Sequence, residues 1–185
     1  MPDVIGVLAL QGAYEKHIEM LSSLGVESRL IRYAQELNDC CALIIPGGES
    51  STMSLLIQKF GLFEKLREFS ENKPVMGVCA GAILMAETVE DSRVTPLNIM
   101  PMTALRNNYG RQVFSFSADL RLKFDAEGPA YRAHFIRAPE MRSNNEKIEV
   151  LAKFDDDAVM MRLARHMALT FHPELTNDNR IHACW

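Results

Sequence analysis

Short apolar runs and helical stripes alternate along the first half of the chain. Val4-Ile5-Gly6-Val7-Leu8-Ala9-Leu10 is apolar throughout, the pattern of a strand buried on both faces of a parallel sheet. Gln11-Gly12 ends it. Tyr14, Ile18, Leu21 and Leu24 then recur at helical spacing, with Glu15, Lys16 and Glu19 between them and Gly25 as a stop. A second strand near Ser28–Ile31 completes a βαβ unit, whose crossover should be right-handed. The rhythm repeats. Ala42-Leu43-Ile44-Ile45 reads as strand and Pro46-Gly47-Gly48 breaks it. Helical stripes follow at Met53, Leu56, Ile57, Phe60 and at Leu62, Leu66, Phe69. Pro74-Val75-Met76-Gly77-Val78 is another strand, and residues 80–87 read as the helix after it.

The second half changes character. Residues 112–122 and 133–137 read as strands, the latter ended by Pro139. Residues 148–154 and 158–163 flank Asp155-Asp156-Asp157, a polar turn that predicts an antiparallel hairpin. Residues 167–171 form a last strand leading into His172. The alternation predicts a doubly wound three-layer α/β domain, its sheet mostly parallel, with antiparallel strands in the second half.

Composition narrows the class. At 185 residues, 48% hydrophobic and 24% charged, the chain reads as one globular domain over residues 1–185. A chain of this size buries about 70% of its unfolded surface and needs no disulfide or metal. The segment Met1-Pro2-Asp3-Val4 lacks a basic region followed by an apolar run, so no secretory leader is expected. No run approaches the roughly 18 apolar residues of a membrane span. Cys40, Cys41, Cys79 and Cys184 show no metal-ligand spacing. A reduced, cytoplasmic protein is expected. The net charge of −4 leaves no electrostatic footprint for nucleic acid.

Three segments and two arginines carry candidate chemistry. Gly77-Val78-Cys79-Ala80-Gly81 has the form of a nucleophile elbow between strand and helix. The helix N-terminus behind it favours a thiolate. An inert buried cysteine is the bland alternative. Phe171-His172-Pro173-Glu174 places an imidazole and a carboxylate at one strand end. Pro173 restricts His172 to extended backbone, although an ordinary turn into a helix reads the same way. Pro46-Gly47-Gly48-Glu49-Ser50-Ser51 can turn backbone N–H groups towards a ligand. It lacks the lysine of a phosphate loop and carries Glu49, so an oxyanion hole fits better than phosphate binding. A turn capped by serine is the third reading. Arg106 and Arg137 stand beside turn residues and suit a carboxylate, or simply solvent.

Taken together and in order, five segments resemble class I glutamine amidotransferases: Leu8-Ala9-Leu10-Gln11-Gly12, Pro46-Gly47-Gly48-Glu49-Ser50, Gly77-Val78-Cys79-Ala80-Gly81, Arg106-Asn107-Asn108-Tyr109-Gly110-Arg111-Gln112 and Phe171-His172-Pro173-Glu174-Leu175-Thr176. Within that class, the Arg106 segment and Phe135-Ile136-Arg137-Ala138-Pro139 are similar to the glutaminase subunits of pyridoxal 5′-phosphate synthase. The resemblance implies hydrolysis of L-glutamine to glutamate and ammonia by a triad of Cys79, His172 and Glu174, through a glutamyl thioester. It implies substrate contacts from Gly47, Gly48, Glu49, Arg106, Ile136 and Arg137, and an oxyanion hole from Gly48 and Ala80 with Gln11 nearby. It implies no cofactor and no metal. The expected partner is the synthase (lyase) subunit, in a hetero-oligomeric complex that receives the ammonia and builds pyridoxal phosphate. Neither nucleic acid nor membrane is expected. Two positions depart from the family pattern: Val78 stands where a threonine is usual, and relatives continue into a C-terminal helix beyond Trp185. The glutaminase subunit of imidazole glycerol phosphate synthase and a non-catalytic module on the same scaffold are the rival readings. Residues 106–112 argue against the first, and an intact Cys79, His172 and Glu174 against the second.

Overall fold

A computed structural model describes residues 3–105 and 115–185. The first half runs β1 (Val4–Leu8), α1 (Tyr14–Ser23), β2 (Ser28–Ile31), β3 (Cys40–Ile45), α2 (Ser50–Lys59), α3 (Phe63–Asn72), β4 (Val75–Val78) and α4 (Ala80–Met85). The second half contributes β5 (Ala86–Val89), β6 (Met100–Leu105), β7 (Phe116–Leu120), β8 (Tyr131–Phe135), β9 (Glu140–Arg142), β10 (Glu149–Phe154), β11 (Asp157–Leu163), β12 (His166–Leu169) and α5 (Arg180–Cys184).

The main sheet has seven strands in the order β10-β11-β12-β4-β3-β1-β2. From β12 to β2 neighbouring strands are parallel. The hairpin β10-β11 adds the antiparallel edge through β12. Side chains alternate across the sheet with the period of two that strands impose. Leu8, Leu43, Ile45 and Val75 meet Met53, Ile57, Leu66 and Phe69 on one face. Val7, Ile44, Met76 and Leu169 meet Leu21, Tyr131, Phe171 and Ile181 on the other. Both faces are therefore dry, and the strands read as continuous apolar runs for that reason.

Three expectations need adjustment. The helix expected over 80–87 stops at Met85, and Ala86–Val89 is a strand paired with β6. Residues 97–99 cause the stop, because their N–H groups bond to the carbonyls of Leu84, Met85 and Ala86. Phe60, placed in a core stripe, follows the end of α2 and is exposed. The strand expected over 112–122 is observed only as Phe116–Leu120, and residues 112–114 lie outside the described residues.

Candidate active site

Parallel strands deliver their carboxyl ends to one edge of a sheet, where ligands of α/β folds commonly bind. Here β1 runs out to Gln11, β3 to Gly47 and Gly48, β4 to Cys79 and β12 to His172. Segments far apart in sequence thus share one cavity of about 290 Å³. Its lining includes Gln11, Gly47, Gly48, Glu49, Cys79, Ala80, Ile136, Arg137 and His172. Arg106 lies outside the described residues.

Cys79 holds φ 50° and ψ −103° between β4 and α4. A positive φ is costly for a residue with a side chain, about 1–3 kcal/mol, and persists only where the surroundings enforce it. Two hydrogen bonds pin the turn: Cys79 N–H donates to the Leu169 carbonyl at 2.7 Å, and Ile83 N–H donates to the Cys79 carbonyl at 3.1 Å. The flanking glycines allow the approach. A Cβ at Gly81 would strike the Ile45 carbonyl oxygen, and one at Gly77 would lie 2.7 Å from the Gly81 backbone. The sulfur lies 3.9 Å from the Ile136 carbonyl oxygen, and Cys79 and His172 line the same cavity.

His172 sits at φ −106° and ψ 90°, as a residue before proline must. Its N–H donates to the His134 carbonyl at 2.9 Å. Pro173–Leu175 then makes a single 3₁₀ turn that brings Glu174 back beside the ring. Nδ1 of His172 lies 2.6 Å from Oε1 of Glu174, and both side chains are buried. Burial disfavours the charged ring, yet the interactions with Cys79 and Glu174 outweigh it and lift the His172 pKa to about 10. Burial likewise works against the Glu174 carboxylate, but the His172 bond and His17 hold its pKa below the usual value. A thiol, a base and an orienting carboxylate in this order suit nucleophilic acyl transfer.

The glycine loop is braced by the end of β1. Oε1 of Gln11 accepts from Glu49 N–H at 2.7 Å, and the Gly47 carbonyl accepts from Ala13 N–H at 3.3 Å. A Cβ on Gly47 would enter the His172 ring. Glu49, not a serine, caps α2: its carboxylate accepts from Thr52 N–H at 2.7 Å and Ser51 N–H at 3.3 Å, and from both hydroxyls. Burial alone would raise its pKa, but these donors hold it at about 2. Ala80 N–H opens α4, among the first-turn groups that have no acceptor within a helix. Arg137 also has positive φ, 45°, and is exposed beside the cavity.

Sequence reasoning left His17 and His182 without a role. Both are buried, and His17 Nε2 lies 3.7 Å from Glu174 Oε2. A signal existed, since His17 follows Tyr14 by three residues on the stripe that α1 buries. Ser50 was also passed over; its buried hydroxyl borders the cavity and has no hydrogen-bond partner among the described residues.

The fold, with its cysteine elbow on a mostly parallel sheet, is that of the class I glutamine amidotransferases. More narrowly, the chain belongs to the SNO glutamine amidotransferase family, whose model matches residues 7–185. It is 45% identical over 179 residues to the pyridoxal 5′-phosphate synthase subunit PdxT of Halalkalibacterium halodurans, covering 96% of this chain and 90% of that one. The PdxT subunit of Pelotomaculum thermopropionicum is 46% identical, with 96% and 91% covered. A crystal structure of a glutamine amidotransferase superposes with a TM-score of 0.89 at 39% identity, covering 97% of this chain and 95% of that one.

Proposed function

We propose that this chain is the glutaminase subunit of a pyridoxal 5′-phosphate synthase. The observation that carries the reading is that Cys79 and His172 line one cavity with the glycine loop, while Glu174 lies 2.6 Å behind the His172 ring. Cys79, its thiol proton taken by His172, attacks the side-chain amide carbon of L-glutamine. The carbonyl electron pair moves onto oxygen, and N–H groups of Gly48 and Ala80 stabilise that oxyanion. His172, held by Glu174, gives a proton to the departing nitrogen. Ammonia leaves and a glutamyl thioester remains on Cys79. Water, its proton taken by His172, then releases glutamate and the thiol. Glu49, Ile136, Arg137 and Arg106 contact the substrate, with the arginines suited to its carboxylate.

Ammonia freed into bulk water is protonated or lost. Assembly with the synthase subunit in a hetero-oligomeric complex, and passage of ammonia between the two, follow from that need. The naming of the PdxT relatives supports this partner. The setting is the cytoplasm; among the described residues no helix is long and apolar enough to cross a membrane.

An electrophilic glutamine analogue, 6-diazo-5-oxo-norleucine, tests the nucleophile. Peptide mapping after inactivation should find the label on Cys79. Label on Cys40, Cys41 or Cys184 instead would overturn the assignment.

A further inference from the structure

The mechanism uses one oxygen of Glu174. The other, Oε2, is buried and has no hydrogen-bond partner among the described residues. What faces it is His17 Nε2 at 3.7 Å, itself buried and equally without a bond. On the far side of that ring, His17 Nδ1 meets His182 Nε2 at 3.0 Å. Helices α1 and α5 therefore bring two imidazoles into line behind the carboxylate. Among the described residues no three His, Cys, Asp or Glu side chains converge as metal ligands, so the ring-to-ring contact is a hydrogen bond.

Proton positions in such a row follow from which atoms face each other. A neutral imidazole has one N–H and one lone pair. If His17 carried its proton on Nδ1, its Nε2 lone pair would face a carboxylate oxygen in a fully buried site, and two acceptors would repel. With the proton on Nε2, the ring presents its positive edge to Oε2, and Nδ1 accepts from His182 Nε2–H. Every group then points the same way: His182 to His17, His17 to Glu174, His172 to Glu174. At 3.7 Å the His17 contact is longer than a hydrogen bond, so it acts as a dipole against a charge, strengthened by burial. Burial, the largest cause, also keeps both outer rings neutral, with pKa values lowered to about 4 for His17 and about 3 for His182.

We propose that His17, fixed in its Nε2–H tautomer by His182, is a positioning residue that holds the free oxygen of Glu174 and so fixes the carboxylate plane that orients His172. The inference rests on the glutaminase reading. Glu174 also faces His172 within its own segment, His182 behind His17 from α5, and the Tyr131 phenol from β8, whose pKa burial raises to about 12. Of these only His17 addresses Oε2. Its removal should leave the Glu174 carboxyl easier to protonate, so activity should fail at a higher pH on the acid side.

The test measures glutamate release by the full chain with saturating synthase subunit, from about pH 3.5 to 9, so that the carboxylate limb lies within the range. His17→Phe keeps the ring volume and removes the donor; His17→Gln restores an N–H. In His17→Phe, kcat should fall about tenfold, as the loss of a dipole facing a buried charge would give. Its acid limb should move up by about one pH unit, with KM nearly unchanged, and His17→Gln should recover most of both. Wild-type kcat in His17→Phe, or a fall with the acid limb in place, overturns the inference. If wild type itself releases no glutamate, the glutaminase reading has failed instead. Nitrogen NMR of histidine-labelled full chain then decides the geometry without activity. A His17 proton on Nε2 supports the row described, and one on Nδ1 overturns it.

Discussion

At the scale of single residues, His172 and Glu174 differ in what their loss removes. His172→Asn deletes the base and the acid, so nearly all turnover should go. Glu174→Gln keeps the volume and removes only the group that fixes the ring, so a larger residue of activity should remain. A Glu174→Gln enzyme slower than His172→Asn would reverse these roles. The same pair predicts how stability follows pH. A histidine whose folded pKa is raised to about 10 stabilises fully below its unfolded value near 6.5. That contribution fades as pH climbs towards 10. His17 and His182, held neutral with pKa values near 4 and 3, act in the opposite sense: their contribution is whole above about 6.5 and fades below it. Thermal unfolding midpoints should therefore peak near neutrality. The gap in midpoint between wild type and His172→Asn should narrow from pH 7 to pH 10; a gap that widens contradicts the coupling.

Among the elements, the elbow makes the sharpest demand on sequence. Gly81 lies where a methyl would meet the Ile45 carbonyl, a backbone atom that cannot rotate away. Gly81→Ala should cost about 1–3 kcal/mol in urea denaturation, as overpacking does; a loss below about 0.5 kcal/mol, the range of neutral surface changes, would mean the elbow yields. Such local demands explain what could be read in advance. The strands β1 to β4 were legible because both faces are buried, which leaves an unbroken apolar run between turn residues. The β10-β11 hairpin was legible from its aspartates, one of which, Asp155, adopts φ 52°. The end of α4 was not, since residues 80–85 are apolar on every side and only the contact from residues 97–99 halts the helix. Cys79, His172 and Glu174 were legible because proline, glycine and strand ends constrain them locally. His17 was not, because its partners Glu174 and His182 lie more than 150 residues away and only the packing of α1 against α5 and the His-Pro-Glu turn assembles them.

For the whole molecule, the question is when glutamine is hydrolysed. An isolated glutaminase that ran freely would discard ammonia, so docking of the synthase should raise its rate. The glycine loop suits a gate. The Gly47 carbonyl is held by Ala13 N–H at 3.3 Å, a long bond, and Gln11 braces the adjacent Glu49 N–H at 2.7 Å. Glycines on both sides of the peptide let it flip where other residues resist. One missing oxyanion donor costs about 10²–10³ in rate. Stimulation should thus appear mainly in kcat, and Gln11→Ala should blunt it while leaving the fold intact. Full stimulation in Gln11→Ala would place the gate elsewhere.

Glutamate release from L-glutamine tests the central claim most directly, measured for wild type and Cys79→Ala with saturating synthase subunit and for wild type alone. Wild type with its partner should turn over, wild type alone should be slow, and Cys79→Ala should be inactive with the synthase still bound. Turnover in Cys79→Ala above a few per cent of wild type, or none in wild type with its partner present, would contradict a glutaminase built on this cysteine.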